Sequence, residues 1–133
     1  MTTILCFEDN ADNMLLLKRV LLARGYRVLE ARSAIEGLSM AEQQAIDLIL
    51  LDINLPDVSG YEVARRLRGS AKFNLASVPI IAITANALRG DAEKALGAGC
   101  DMYMSKPINI HELWARVEAY LKLPRRRSKP IWL

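Results

Sequence analysis

The sequence predicts an α/β protein with a doubly wound, five-stranded parallel sheet and five helices. Five short apolar segments alternate with amphipathic helical patterns along the 133 residues. Such segments, rich in Ile, Leu and Val, are typical of strands that are buried on both faces of a parallel sheet. Right-handed crossovers between them give a flavodoxin-like strand order, 2-1-3-4-5, which reverses between strands 1 and 3.

The first two strands flank an amphipathic helix. Strand 1 is expected at residues 3–7 and strand 2 at 26–30, because both segments are short and apolar. Helix 1 is expected at residues 11–24, and it stops before Gly25. Its core-facing stripe, with a period of about 3.6 residues, consists of Met14, Leu15, Leu17, Lys18, Leu21 and Leu22.

Capping boxes mark the starts of the next two helices. Ser33 with Glu36, and Ser59 with Glu62, have the S-x-x-E spacing in which the two residues bond to each other's backbone N–H groups. The elements of this region are expected at residues 33–44 (helix 2), 47–51 (strand 3) and 59–69 (helix 3). The polar residues at 70–77 predict a loop.

The last third of the chain contains a weaker helix. The expected elements are strand 4 at residues 79–84, helix 4 at 88–98, strand 5 at 101–105 and helix 5 at 109–122. Gly90, Gly97 and Gly99, together with a scarcity of large apolar side chains, predict that helix 4 is marginally stable. Asn109 and Glu112 form a further cap pair at the start of helix 5.

The net charge of +3 comes from the C-terminal end of the chain. Its basic residues are Lys122, Arg125, Arg126, Arg127 and Lys129. Without these five, 13 of the 18 basic residues remain against 15 acidic ones. We therefore expect one folded domain at residues 1–122 and a basic tail at residues 123–133.

Other features of the sequence favour a reducing cytoplasm. No apolar stretch approaches the roughly 18 residues that cross a bilayer. The N-terminal residues lack the basic region and cleavage site of a secretory signal. Cys6 and Cys100 fall in or beside predicted strands, where free cysteines behave as small apolar residues. We therefore expect a cytoplasmic protein without membrane contact.

Polar residues end four of the five predicted strands, and they are Glu8 with Asp9, Asp52, Thr84 and Lys106. The carboxyl ends of the strands meet at one edge of an open sheet, so these groups converge on one site. Three carboxylates repel one another unless cations neutralise them. Mg²⁺ prefers such oxygen ligands, and the Lys106 ammonium is a second cation. The set predicts phosphoryl transfer to Asp52, with Thr84 donating a hydrogen bond to the phosphoryl group.

Four motifs in register resemble those of the receiver domain of bacterial two-component response regulators. They are E-D-N at 8–10, D-I-N-L-P-D-V-S-G at 52–60, T-A at 84–85 and K-P at 106–107. The resemblance extends from residue 3 to about residue 121. It implies a stand-alone receiver that signals by protein contact. The chain itself is not expected to be a kinase, because it has no His-containing dimerisation segment and no nucleotide motif.

The resemblance also implies a role for each residue of the cluster. Asp52 would accept the phosphoryl group from a histidine kinase or a His-containing phosphotransfer protein, and Lys106 and Thr84 would complete the catalytic set. The ligands of Mg²⁺ would be Asp9, Asp52, the backbone carbonyl of Asn54 and, through water, Glu8. Self-phosphorylation from small donors and autodephosphorylation would both depend on Mg²⁺.

A conformational switch is implied by the same resemblance. Tyr103 would move when Thr84 turns toward the phosphoryl group, and the Lys106-Pro107 bond would be cis. The face formed by helix 4, strand 5 and helix 5 would then bind a downstream protein or a second copy of the chain. The alternative for output is a relay, in which Tyr103 stays fixed and the phosphoryl group passes to another His-bearing protein.

Three other functions fit the sequence less well. A phosphatase of the haloacid dehalogenase type carries its nucleophile first and within D-x-D, whereas here the acidic pair comes first and Asn54 follows Asp52 by two residues. An FMN carrier needs a phosphate-binding first loop, and Glu8 and Asp9 would repel that phosphate. The arginines at 125–127 give non-specific attraction to nucleic acid, so no specific nucleic-acid partner is expected.

Overall fold

The computed structural model describes residues 1–85 and 90–124 of the chain. Residues 88 and 89, where the fourth helix is predicted to start, lie outside the described residues, as do residues 125–133 of the predicted tail. Within the described ranges, no helix has the length and apolar character that a bilayer span requires.

Five parallel strands form one sheet in the order β2-β1-β3-β4-β5, which confirms the predicted topology. The strands are β1 (Thr3–Phe7), β2 (Arg27–Ala31), β3 (Leu48–Asp52), β4 (Ile80–Thr84) and β5 (Met102–Ser105). The helices are α1 (Ala11–Leu22), α2 (Ala34–Gln43), α3 (Gly60–Arg68), α4 (Phe73–Ser77), α5 (Asp91–Ala98) and α6 (Ile110–Lys122). Each strand begins and ends within one residue of its predicted bounds.

The sheet is packed by six described helices rather than the predicted five. The additional helix is α4, which lies in the segment 70–77 that the sequence predicts to be a loop. That prediction is wrong because Leu75, Ala76 and Ser77 are buried. The Ser77 hydroxyl also donates to the Phe73 carbonyl at 2.7 Å. A helix of little more than one turn is too short to show a hydrophobic period in the sequence.

The buried face of α1 is narrower than the predicted stripe. Its buried residues are Met14, Leu17, Val20 and Leu21. Leu15 and Leu22 are 45% and 49% exposed. The Lys18 Nζ lies 3.4 Å from the Glu30 Oε2 at the protein surface. These three members of the stripe are wrongly predicted, because consecutive leucines cover a wider arc of the helix than the face that meets the sheet.

The two predicted capping boxes form only in part. The Ser33 hydroxyl accepts from the Glu36 N–H at 3.1 Å, as the first box requires. The Ser59 hydroxyl accepts instead from the Tyr61 N–H at 3.1 Å. The Glu62 carboxylate pairs with two arginines one turn further along α3. The second box is therefore wrong, since those arginines compete for the Glu62 side chain.

An asparagine and several glycines lie at the ends of other helices, either just before the first residue or just after the last one. The Asn109 side chain accepts from the Glu112 N–H at 2.9 Å, which confirms the predicted cap of α6. Gly25, after α1, has a φ of +80°, in the left-handed region that glycine adopts most readily. Gly90 and Gly99 have φ values of +83° and +112°. The helix α5 therefore lies between two glycines with left-handed backbone.

Apolar layers cover both faces of the sheet. Alternate residues of β1 show the pattern: Leu5 and Phe7 face α2 to α5, whereas Ile4 and Cys6 face α1 and α6. Cys6 and Cys100 are buried free thiols, as the sequence predicts. Burial raises the pKa of Cys100 to about 12 and also raises the pKa of Cys6, so neither thiol ionises at neutral pH.

Candidate functional site

The ends of four strands bring the predicted polar residues to one edge of the sheet. In the register of the sheet, Asp52 lies beside Ile83 and Thr84 lies beside Ser105. The Lys106 N–H donates to the Thr84 carbonyl at 2.8 Å, which extends the pairing of β4 and β5 by one residue. The side chains that follow these strands therefore meet at the carboxyl edge, where open α/β sheets bind their ligands.

The Lys106 ammonium bridges two buried carboxylates. Its Nζ lies 3.0 Å from Asp52 Oδ2 and 3.0 Å from Glu8 Oε1. Asp52 is 3% exposed and Glu8 is 2% exposed, so water screens these charges poorly. The ammonium thus connects the segment after β5 with the ends of β1 and β3.

Burial, hydrogen bonds and neighbouring charges shift the pKa values of Glu8 and Lys106. Burial raises the pKa of Glu8, and the nearby charge of Asp52 adds to that rise. Hydrogen bonds from the Asn10 N–H and from Lys106 oppose it. Burial alone would lower the pKa of Lys106, but hydrogen bonds to Asp52 and Glu8 raise it above its ordinary value. Lys106 is therefore an ammonium at neutral pH.

Three carboxylates of the site lie close enough together to share one metal ion. Glu8, Asp9 and Asp52 each place one carboxylate oxygen within 4.8 Å of the others. Asp9 is exposed, unlike the other two, so an ion can reach the cluster from solvent. Lys106 neutralises one of the three negative charges, and the remaining charge attracts a divalent cation that prefers oxygen ligands.

The loop at residues 53–59 turns sharply at the end of β3. The Asn54 N–H donates to Asp52 Oδ1 at 2.9 Å and so orients the carboxylate. At the other end of the loop, the Gly60 N–H donates to the Ile53 carbonyl at 2.9 Å. A Cβ on Gly60 would lie 2.7 Å from the Asp52 carbonyl oxygen. This approach of two backbone segments requires glycine.

The two residues predicted to form the switch lie on neighbouring strands. Thr84 is buried at the end of β4. Tyr103 lies opposite Ala82 in the register of β5, and it packs, half-buried, against the apolar layer that includes α5. The Lys106-Pro107 peptide bond is cis. The structure therefore places Thr84 at the carboxyl edge of the sheet and Tyr103 against the apolar layer that includes α5.

A groove of about 360 Å³ adjoins the acidic cluster between α1 and the segment after β5. Glu8 and Lys106 line one end of the groove. Its other walls include the apolar side chains of Leu16, Pro107 and Ile108. An incoming molecule therefore meets an apolar surface directly beside the charged groups.

Two polar residues near the site are not among those predicted. Asn10 caps α1 by accepting from the Asn13 N–H at 3.0 Å, and its place immediately before an amphipathic pattern is a signal for this role. The Asp57 carboxylate accepts from the Ala34 and Ile35 N–H groups at 2.9 and 3.0 Å. No local sequence pattern indicates a contact over 22 residues, so Asp57 could not be found in this way.

Comparison with known proteins identifies relatives along most of the chain. A family model described as the response regulator receiver domain matches residues 4–118. The polar-differentiation response regulator DivK of Brucella ovis is 40% identical over 119 residues, which cover 90% of this chain and 95% of DivK.

Solved structures of similar proteins share the fold. The receiver domain of a sensor histidine kinase from Pseudomonas aeruginosa, with a magnesium ion coordinated in its active-site cleft, is 38% identical with a TM-score of 0.85. The match covers 92% of this chain and 98% of that chain. A two-component response regulator from Clostridium difficile is 30% identical with a TM-score of 0.84, over 92% of this chain and 97% of that one.

Proposed function

The chain belongs to the response regulator receiver domain family, and from this premise we propose that Asp52 accepts a phosphoryl group from a histidine kinase or a His-containing phosphotransfer protein. The observation that carries the proposal is the bridge of the Lys106 ammonium, at 3.0 Å, to both Asp52 and Glu8. Together with Asp9, whose carboxylate lies beside those two, the cluster has three carboxylates and one ammonium. Such an excess of negative charge suits a divalent cation, which together with Lys106 would offset the charge on the oxygens of an incoming phosphoryl group.

In the proposed reaction, a carboxylate oxygen of Asp52 attacks the phosphorus atom. The bond from phosphorus to the donor's imidazole nitrogen breaks, its electron pair stays on that nitrogen, and an acyl phosphate forms on Asp52. The donor ring, protonated on its other nitrogen, leaves as neutral imidazole. The Asn54 N–H holds the carboxylate in one orientation throughout. Lys106 exchanges its bond with the carboxylate for a bond to a phosphoryl oxygen.

We assign Mg²⁺ to Asp9, Asp52 and the Asn54 carbonyl, with Glu8 acting through water. The donor set fits this ion, since its members are hard oxygens and three carboxylate oxygens lie within 4.8 Å of one another. When bound, the ion neutralises charge on the phosphoryl oxygens during transfer. The chain contributes by holding these oxygens together against their mutual repulsion, with Lys106 as the fixed counter-charge.

In this proposal, the phosphorylated chain signals by binding other proteins in the cytoplasm. It has no specific nucleic-acid partner and no membrane partner. Thr84 turns its hydroxyl toward the phosphoryl oxygens, and Tyr103 moves into the space that this turn leaves. The face formed by α5, β5 and α6 then changes, and a downstream protein or a second copy of the chain binds it. The position of Tyr103, half-buried against the layer that includes α5, supports this route.

Small phosphodonors phosphorylate the domain in the same proposal, and the phosphorylated form hydrolyses by itself. The family resemblance assigns the two positions beside the attacking water to Asn54 and to Asn86, which lies outside the described residues. An asparagine side chain carries no charge. The rate of hydrolysis is therefore set by how the water is positioned rather than by acid–base catalysis.

Replacement of the proposed acceptor, Asp52→Asn, tests this function. With acetyl phosphate and Mg²⁺, the wild-type chain should gain a hydroxylamine-labile phosphate and the variant none, because an amide forms no acyl phosphate. Asp12→Asn is the control, since it removes an exposed carboxylate from the first turn of α1 and should leave labelling unchanged. Labile phosphate on the Asp52→Asn variant would remove Asp52 from its role. Labelling of the wild-type chain without any divalent ion would remove the metal assignment.

A further inference from the structure

Asp57 joins the loop after β3 to the first turn of α2. Its Oδ1 accepts from the Ala34 N–H at 2.9 Å, and its Oδ2 accepts from the Ile35 N–H at 3.0 Å. N–H groups in the first turn of a helix have no acceptor within the helix, so this carboxylate supplies one from a distant loop. The bonds from Ala34 and Ile35 favour the charged form and lower the pKa of Asp57.

The helix α2, whose N–H groups donate to Asp57, packs tightly against the sheet. Ala34 is buried, and a Cβ on Gly37 would lie 2.0 Å from the Phe7 ring, so the helix backbone rests directly on that ring. Phe7 ends β1 and precedes Glu8 of the acidic cluster. Close-packed groups of this kind move little relative to one another. The loop is therefore attached to the same rigid unit that carries Glu8.

The loop has few other attachments. Four of the six residues at 54–59 are exposed, and Leu55 and Val58 are partly buried against the apolar layer. The two ends are held by the Asn54 bond to Asp52 and by Gly60. Within the part of the chain that the structure describes, Asp57 is the loop residue whose side chain is hydrogen-bonded to a preceding helix.

We propose that Asp57 is a positioning residue, which ties the loop to α2, fixes the Asn54 backbone beside Asp52 and thereby sets the affinity of the site for Mg²⁺. This inference rests on the proposed function, because that function assigns the Asn54 carbonyl to the metal. Without the tie, the loop has more conformations, and the carbonyl is in place for a smaller fraction of the time. The apparent affinity for the ion falls in proportion to that fraction.

Ser33 provides a matched control for this role. Its hydroxyl accepts from the Glu36 N–H at 3.1 Å, so it caps the same helix without contacting the loop. Ser33→Ala and Asp57→Ala both leave N–H groups of α2 without a side-chain acceptor. A loss of helix stability is common to the two variants, whereas a displaced loop is specific to Asp57→Ala.

The test is a calorimetric Mg²⁺ titration of the full-length chain in four forms: wild type, Asp57→Ala, Asp57→Asn and Ser33→Ala. We expect Asp57→Ala to weaken Mg²⁺ binding by about tenfold, the size usual for residues that orient metal ligands. Asp57→Asn should weaken it less, since the amide oxygen still accepts from α2. Ser33→Ala should bind within about twofold of the wild type.

Amide hydrogen exchange of the metal-free chain is a second readout, which does not depend on activity. Exchange at residues 53–59 should become faster in Asp57→Ala and stay unchanged in Ser33→Ala. Equal Mg²⁺ affinity in Asp57→Ala and wild type, or an equal loss in Ser33→Ala, overturns the inference. If Asp57→Ala does not fold, Asp57→Asn decides by the same criteria. A wild-type chain that binds no Mg²⁺ instead overturns the proposed function, and the inference falls with it.

Discussion

Two cation–carboxylate clusters lie at opposite ends of the sheet, and they are built in opposite ways. At the amino end, Arg68 donates to Asp101 Oδ2 at 2.8 Å, to the Gly99 carbonyl at 2.8 Å and to the Val78 carbonyl at 2.6 Å. At the carboxyl end, the Lys106 ammonium contacts two carboxylates, those of Glu8 and Asp52. Among the described residues, the ion pair of the first cluster joins one acid to one base, whereas the second cluster has an excess of acids.

The difference between the clusters separates the structural ion pair around Arg68 from the cluster around Lys106, which we call the reactive cluster in view of the proposed function. The planar guanidinium of Arg68 fits a fixed set of acceptors, and Asp101 also accepts from the Ile80 N–H at 2.8 Å. The ammonium of Lys106 is a point charge on a flexible stem, which can exchange one acceptor for another. A balanced cluster stabilises the fold, whereas an excess of carboxylates attracts a further cation, which the proposed function assigns to Mg²⁺.

The largest effect expected from this comparison is on stability. Arg68→Met should lower the free energy of unfolding by about 3 kcal/mol, because it leaves the buried Asp101 carboxylate and the carbonyls around it without the guanidinium. Urea unfolding measures the change. Arg65→Met is the control, since that side chain is exposed, and it should change stability by less than about 0.5 kcal/mol. Equal losses in the two variants would mean that the Arg68 cluster does not hold the fold.

A substitution at the reactive cluster is expected to have a smaller effect on the free energy of unfolding, and to raise it rather than lower it. Because burial raises the pKa of Glu8 above its ordinary value of 4.5, the ionised form opposes folding. The contribution of Glu8 to stability is therefore most favourable when it is protonated, and it declines as the pH rises from 4.5 through the raised pKa. Glu8→Gln should stabilise the metal-free chain at neutral pH by about 1 kcal/mol.

Urea unfolding as a function of pH checks this sign. The gain in Glu8→Gln should shrink as the pH falls toward the ordinary carboxyl range, and Mg²⁺ should stabilise the wild type more than the variant. Glu93→Gln, at an exposed position of α5, is the control and should show neither behaviour. If the Glu8→Gln variant is less stable than the wild type at neutral pH, the ionised Glu8 carboxylate stabilises the fold. That result contradicts the claim that the cluster has an excess of negative charge.

The smallest effect is a structural one. It concerns how far the change caused by phosphorylation extends from the reactive cluster toward the Arg68 cluster. Beryllofluoride, a mimic of the phosphoryl group, should shift NMR signals of residues 90–98. The helix α5 lies between two glycines with left-handed backbone, and we expect its arrangements to differ by only about a few kcal/mol. The shifts should also reach Tyr103 on β5, and they should be smallest at Gly99, whose carbonyl Arg68 holds. Thr84→Ala should confine the shifts to the loops around Asp52, whereas Thr84→Ser, which keeps the hydroxyl, should not. Shifts that never reach α5 in the wild type favour the relay.

The sheet and the reactive cluster could be predicted because their signals are local. Each strand is a short apolar run, and the residues that end the runs must meet once the strand order is fixed. The strand order predicts that Asp52, Lys106 and the acidic pair at 8–9 meet, and the structure brings them together. The end of α1 was likewise marked by Gly25 in the sequence.

The remaining features depend on contacts between distant segments. The Arg68 cluster joins α3 to residues some thirty positions later, and Asp57 reaches back to α2. Neither has a periodic or capping signal, since each partner is chosen by the packing of the whole domain. The same reason explains α4, whose single turn is held by burial of Leu75, and the exposure of Leu15 on α1.

The state of the two cysteines has a practical consequence for labelling the protein. Cys6 and Cys100 are the two thiols of the chain, and both are buried with raised pKa values. Alkylating reagents attack thiolates, so the folded chain offers them almost no target at neutral pH. A single cysteine introduced at an exposed position, such as Leu96 on α5, would then carry a fluorophore or spin label on its own. The two buried cysteines therefore need not be replaced before a label is attached for spectroscopy.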